Sequence, residues 1–409
     1  VTSKEAIAAV EERSNAPAFH KICTILAAED TEVPIGQEKT TDKDKLLDMI
    51  QQLNHTSSEQ TWHNEFKTTT GTDNWRDAIP ERYGGDGKWQ AMYPTWLKTA
   101  KEREADTEHA AAKKVGEDGL NDQQKALLRP NVQQLAARAH DIRQQSLTLA
   151  QLEQSDDAKH ARMLLKEAAY GGHDKTRDNA KHTDIFAVTC TSTPHNCCKE
   201  DSNQNPPQTA AGVIMCLCTA DYSKTKMYVS PQTELSQWSD PARNHEAEWP
   251  KLKVFCAPKL HTERPEEAVS GALESLLSNL HYSSNKLYLG AWQSTPCRTG
   301  SGDGFCVSYT ASAADDTSNI DKQPWVEKTR LAVTALRRSR QAATEAKQLK
   351  RQLATIVGEL AAAAQAAKNM NTKTINTEKT APTSTNKLNA DCDEHKSNKN
   401  TCESTDKCE

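Results

Sequence analysis

The sequence predicts a mainly α protein: an elongated antiparallel helical bundle or coiled coil, with a disulfide-stapled head lobe and a second lobe of short helices and strands. Three observations carry that expectation. Two long segments of good helix formers keep an apolar residue at every third or fourth position. Eight of the twelve cysteines fall between residues 190 and 306. The stretches between the long segments are richer in Gly, Pro, Trp and turn residues than the segments themselves.

In chain order, Ile7, Val10, Phe19, Ile22, Cys23 and Leu26 predict a first helix over about 3–28, interrupted at Pro17. A lobe is expected over 31–121. Trp62, Trp75, Trp89 and Trp96 lie close together in it, and large aromatics covering a small core explain them more simply than a sugar-binding platform does. The second long helix is expected over 124–169, where Leu128, Leu135, Ile142 and Leu149 recur every seven residues and Val132 and Ala139 fill the offset positions. Leu152, Met163, Leu164 and Leu165 extend its apolar face, and Pro130 reads as a proline near the helix start, where one is tolerated.

The head lobe follows over 171–329, with the cysteine cluster and strand-like pieces at 185–190, 226–230 and 306–310. The third long helix, 331–368, has the stronger seam. Ala332, Ala335, Ser339, Ala342, Ala346, Leu349, Leu353, Ile356, Leu360, Ala363 and Ala367 fall on one stripe, and only Ser339 is polar. Arg337, Arg338, Arg340, Lys347, Lys350 and Arg351 form its solvated side, and no nucleic-acid partner is expected there. An N-terminal domain of 1–370 is thus followed by a polar, threonine-rich linker at 371–390 and a truncated cysteine-rich C-terminal module at 391–409.

Charge and hydropathy exclude several classes. Lys plus Arg is 51 against 56 Asp plus Glu, a net −5, which argues against a polyanion-binding body. The longest apolar run, Ala210–Cys218, is about half of what a membrane helix needs. Val1 to Glu5 has no signal-peptide pattern, so the chain was either never exported or has lost its signal.

The cysteines favour export. A zinc reading of Cys190, His195, Cys197, Cys198, Cys216 and Cys218 suffers from the adjacent pair at 197/198 and the one-residue gap at 216/218, and no C-x-x-C redox motif occurs. Nine cysteines precede residue 370 and three follow it, so one thiol of the main body is expected to be free or bridged elsewhere. Cys297 and Cys306 flank a short hydrophilic loop and are expected to pair. The partners of Cys23, Cys190, Cys197, Cys198, Cys216, Cys218 and Cys256 stay open, as do those of Cys392, Cys402 and Cys408 in the C-terminal module.

Catalytic signals are missing. The glycine-rich stretches at 84–88 and 300–304 read as turns, neither following an apolar strand and opening a helix as a phosphate loop would. There is no H-E-x-x-H and no G-x-S-x-G, and His160, His173 and His182 read as solvent-facing. No enzyme activity, cofactor or metal is expected. Asn54-His55-Thr56 is the one N-x-S/T sequon, which makes Asn54 a candidate for N-glycosylation if it is exposed.

Three segments, in this order, resemble the class B type of trypanosome variant surface glycoprotein: NAPAFHKIC from Asn15 to Cys23, AGVIMCLC from Ala211 to Cys218, and CRTGSGDGFCVSY from Cys297 to Tyr309. Cys392, Cys402 and Cys408 are similar to the start of that family's small membrane-proximal domain. The resemblance implies a coat protein on the outer face of the plasma membrane, held by a GPI lipid anchor, forming homodimers or homotrimers, and facing host antibodies that it escapes by antigenic variation. It also implies an O-linked hexose on the head loop, where the matching position is Ser301. The alternative on the same scaffold is a nutrient-uptake receptor for a host serum protein.

Overall fold

The computed structural model describes residues 10–29, 40–68, 75–105, 110–153, 157–186, 193–200, 206–219, 235–293, 297 and 304–370. The expected linker and C-terminal module at 371–409, and the strand-like piece at 226–230, lie outside the described residues. The helices are α1 Ala16–Ala27, α2 Thr40–Ser57, α3 Gln60–His63, α4 Gly87–Ala105, α5 Ala110–Val115, α6 Asp122–Glu153 and α7 Asp157–Tyr170. They continue with α8 His182–Phe186, α9 Pro194–Cys197, α10 Ala210–Cys218, α11 Pro241–Lys253 and α12 Pro265–Leu277. Strands β1 His281–Ser283, β2 Lys286–Trp292 and β3 Gly304–Thr310 then precede α13 Ser318–Asp321 and α14 Pro324–Asn369. The fold is mainly α, and the chain divides into two compact units, Val1–Lys39 with Gln145–Leu349 and Thr40–Gln144 with Lys350–Glu409.

In the first unit α7 and α14 run antiparallel. Lys328 pairs with Glu167 at 2.6 Å and Arg338 with Asp157 at 3.4 Å, so ten residues up one helix match ten down the other. Ala332 and Ala335 are fully buried on that seam, and Arg337 and Arg338 stay exposed. Met163, expected on the apolar face of α7, is 37% exposed; its neighbour Leu165 takes the inward position. Helix α1 begins at Ala16 with Pro17 in its first turn, and residues 10–15 ahead of it are not helical. Pro17 therefore opens the helix where it was expected to interrupt one, because a proline at the first helical positions removes no hydrogen bond and its fixed φ suits the turn.

Helix α10 is the centre of this unit: all nine of its residues are buried. Thr209 caps it, accepting from Gly212 N at 3.0 Å and donating to the Ile185 carbonyl at 2.7 Å. A Cβ on Gly212 would stand 2.6 Å from that carbonyl, so only glycine lets α8 approach so closely. Ile185 and Phe186 thus belong to α8, where a strand was expected. Two apolar side chains, fully buried there, read as a strand in a sequence window too short to show helical period. The three strands form an antiparallel sheet ordered β1-β2-β3, with Gly290 opposite Cys306 and Ala291 opposite Phe305. Ser284 and Asn285, both at positive φ (49° and 56°), make the two-residue hairpin between β1 and β2.

In the second unit α6 and α14 are also antiparallel, with Gln124 donating to the Lys368 carbonyl at 3.3 Å and Arg138 paired with Glu359 at 3.2 Å. Leu128, Val132, Leu135, Ala139 and Ile142 are buried on α6, and Leu353, Ile356 and Leu360 on α14. Asn121 and Gln124 cap α6 reciprocally: the Asn121 amide oxygen accepts from Gln124 N at 2.9 Å, and the Gln124 amide oxygen from Asn121 N at 3.1 Å. Because α6 starts this early, Pro130 sits inside the helix and not at its start, which deprives the Ala126 carbonyl of its intrahelical donor. The four tryptophans serve a lobe core. Trp89 and Trp96 are buried with Phe66 and Tyr93, while Trp62 and Trp75 pack against them from outside.

Asn15, fully buried, does not cap α1 with its side chain. Its amide nitrogen donates to the Leu217 carbonyl at 2.7 Å and the Phe305 carbonyl at 2.8 Å, and its amide oxygen accepts from Ala291 N at 2.7 Å. Asn15→Ala would leave three backbone groups unpaired, two of them buried and one half-buried, and we expect it to lower the unfolding free energy by about 3 kcal/mol. Urea melts check this against Thr24→Ala on the same helix, which loses only a bond within its own turn.

Candidate functional site

The three segments that carry the family resemblance meet at one place in the first unit. Asn15 opens the first segment, Leu217 ends the second but for one residue, and Phe305 lies in the third, and the Asn15 amide binds both of the latter. Gly290, at φ 107°, faces the junction. A Cβ there would come within 2.4 Å of the Leu217 side chain and 2.7 Å of the Phe305 carbonyl. Disulfides bracket it. Cys198–Cys216 ties α10 to the segment after α9, Cys297–Cys306 closes the loop before β3, and Cys23–Cys256 joins α1 to the residues after α11 across 233 positions. Crosslinks of these separations restrict the unfolded chain by about 3 kcal/mol for the short Cys198 loop and about 5 kcal/mol for the Cys23 loop in a loop-entropy model. This arrangement holds a shape, and the one thiol of α10 left outside the disulfides, Cys218, is buried.

The second unit contains a cavity of about 690 Å³. His55 and His63 stack on one wall, ring centres 4.1 Å apart, and His63 Nε2 donates to the His55 carbonyl at 2.6 Å. Burial, reinforced by His63 and Arg103, drives His55 down to about 3, and burial lowers His63 as well. Glu117, which also lines the cavity, is 3% exposed, and neither of its carboxyl oxygens has a hydrogen-bond partner. Burial pushes it up to about 7, against the pull of Lys125 and Arg103. Lys67 and Glu104 pair at 2.9 Å at the rim.

A family model described as the trypanosomal VSG domain matches residues 1–355. The chain belongs to that family. No curated protein matches it. The family is a structural surface-coat family, so the bracketed junction is the packing centre of a VSG domain.

Within the VSG domain the expected site residues fall as follows. Cys297 and Cys306 are bridged, Cys197 is disulfide-bonded, and Cys218 is a free buried thiol on α10 whose ionisation burial opposes. Cys190, Ser301, Cys392, Cys402 and Cys408 lie outside the described residues. Gly84 and Gly85 form a turn, as read from sequence; it leads into α4 but follows the short 3-10 turn Glu81–Tyr83 and no strand. Asp86 Oδ1 already accepts from Lys88 N at 2.8 Å and Trp89 N at 3.1 Å there, taking the groups a phosphate would use. Asn54 lies inside α2 and is 5% exposed, because the sequon falls on the inward stripe with Ile50 and Leu53. The cavity was not legible, since His55 of α2, Arg103 of α4 and Glu117 of the turn after α5 come from separate elements with no shared motif.

Two measurements follow from this geometry. Intact-mass analysis of native protein is expected to find Asn54 unmodified and, under denaturing non-reducing conditions, a reactive thiol at Cys218. Glu117 and His55 also oppose each other in pH. Below about 6.5 the unfolded His55 takes up a proton that the folded ring refuses, so its contribution to stability is lost as pH falls toward 3. Glu117 does the reverse: between 4.5 and about 7 the folded carboxyl keeps a proton that the unfolded one releases, so stability falls as pH rises. In Glu117→Gln the histidine slope stands alone, and melts from pH 4.5 to 6.5 should show stability rising with pH more steeply than in the parent, by up to about 1.4 kcal/mol per pH unit.

Proposed function

We propose that this VSG domain belongs to a GPI-anchored coat glycoprotein that shields the parasite membrane and escapes host antibodies by antigenic variation, without catalytic activity. The match to the family over residues 1–355 is the observation that carries this reading. The fold supports it. Its specificity resides in buried groups, the Asn15 junction, the α10 helix and the disulfides, whereas the outward faces carry ion pairs such as Lys101–Asp77 and Arg264–Glu267 that contribute little to stability. Outward residues can then change from one variant to the next at small cost in folding.

No helix among the described residues is long and apolar enough to cross a membrane, and a lipid anchor would supply the attachment. Exposed apolar side chains at Leu127, Met163 and Leu331 fit self-association as a homodimer or homotrimer. On intact parasites, phosphatidylinositol-specific phospholipase C is expected to release the protein into the supernatant. Antibodies against the purified chain are expected to label live cells that express it and not cells expressing another variant. Retention in the cell pellet after the enzyme, with no surface labelling, would overturn the reading.

A further inference from the structure

Helix α3, Gln60–His63, is a single turn with no fully buried side chain, so it depends on its neighbours for its place. Two sets of contacts hold it. Trp62 lies edge-on to Phe66 and Trp96, ring centres 4.6 and 5.5 Å away, and closes the lobe core from outside. His63 stacks on His55 at the end of α2 with the ring planes 5° apart, and its Nε2 bonds to the His55 carbonyl. We propose that this histidine pair is an acid-operated latch: protonation of both rings parts them, releases α3 from the end of α2 and uncovers the lobe core behind Trp62.

A carbonyl only accepts, so the bonded nitrogen of His63 carries a hydrogen and the neutral pair satisfies both contacts. A first proton, on His63, strengthens its bond to the carbonyl. A second, on His55, would set two positive rings face to face at 4.1 Å. The groups around the pair leave that repulsion standing. Lys125 of α6 is positive and opposes charge on His63. Arg103 of α4 has a partner of its own, and the repulsion between the rings does not depend on it. Glu104 of α4 is paired with Lys67 from the segment after α3, and Glu59 ahead of α3 with Arg129 of α6. In the turn after α5, Glu117 keeps its proton up to about 7, and Asp118 beside it lines the same cavity. Burial lowers both histidines in the closed form. Once parted and in water they titrate near the ordinary 6.5, so the open form binds more protons below that pH and acid favours it.

Hydrogen exchange of the whole chain, followed by mass spectrometry at pH 6.5 and pH 5 and corrected for the intrinsic rate at each pH, tests this. Protection of residues 59–67 is expected to fall about tenfold per pH unit, the effect of one proton taken up on opening. Residues 128–142 of α6 and 210–218 of α10 are expected to keep theirs. His55→Phe keeps a ring against His63 and Trp62 but takes no proton, and His63→Gln keeps a donor for the His55 carbonyl. Both variants are expected to hold residues 59–67 equally protected at the two pH values. The proposal is overturned by constant protection of 59–67 in the parent, by an equal loss in 128–142, or by a loss as steep in His55→Phe. The first two outcomes are read on the parent chain, so they decide the matter even if a variant fails to fold.

Discussion

One buried amide sets the geometry of the first unit. Asn15 reaches partners 202, 290 and 276 positions away, and each of its three bonds is to backbone. A side-chain amide offers its donors and acceptor in a fixed plane, so meeting two carbonyls and one N–H fixes where α1 begins relative to the end of α10 and to the β2–β3 ladder. Ala291 and Phe305 face each other in that ladder, so the amide caps a register that the strand hydrogen bonds already define. A slip of one residue would break both sets of bonds together. Gly290 makes the approach sterically possible, and the amide makes it specific.

Small residues and crosslinks extend the same logic. Helix α10 is apolar on all sides and lies wholly inside, so no face of it can reach water, and it must be surrounded. Gly212 lets the Ile185 carbonyl come close, Thr209 satisfies that carbonyl and the helix N-terminus at once, and Cys216 is bonded to Cys198. The backbone of Ser308 then bonds to residues on either side of Lys199, donating to the Cys198 carbonyl and accepting from Glu200 N, so the disulfide and the sheet edge hold the same segment. These contacts are made by backbone, sulfur and residues too small to vary in size. That is why the centre of the unit depends so little on what its surface displays.

The legible part of the fold was the part encoded locally. The seam of α14 could be read because a three-and-four spacing repeats within a single helix, and Ala332, Ala335, Leu349, Leu353, Ile356 and Leu360 are buried as that spacing requires. The cap of α6 was also present locally, as Asn121 and Gln124 three apart, but the apolar period drew attention past it to a later start, which misplaced Pro130. The junction was legible only in outline. Its three segments could be picked out as a set, but that Asn15 joins them depends on contacts more than 200 positions apart, for which no periodicity exists. The sequon at Asn54 is a different case: a three-residue pattern says nothing about which side of a helix it occupies, and here the helical period carries the asparagine inward.

Buried polar groups are completed unevenly along the chain, and unpartnered ones occur in both units, such as His245 Nε2 and Gln323 Oε1 in the first. At the junction every polar atom of the Asn15 side chain is used, which suits a part whose task is to keep one shape. In the second unit Glu117 and the amide oxygens of Gln51 and Asn54 are buried without partners. Each such group costs free energy unless something completes it, and a packed lobe with a four-tryptophan core could have replaced any of them with an apolar side chain. Gln51 still anchors the α6 backbone by donating to the Ala136 carbonyl at 3.1 Å, so its cost is offset within the fold. Glu117 has no such bond. Its carboxyl lines a cavity and has no hydrogen-bond partner among the described residues, and burial meets that cost by holding it protonated up to about 7.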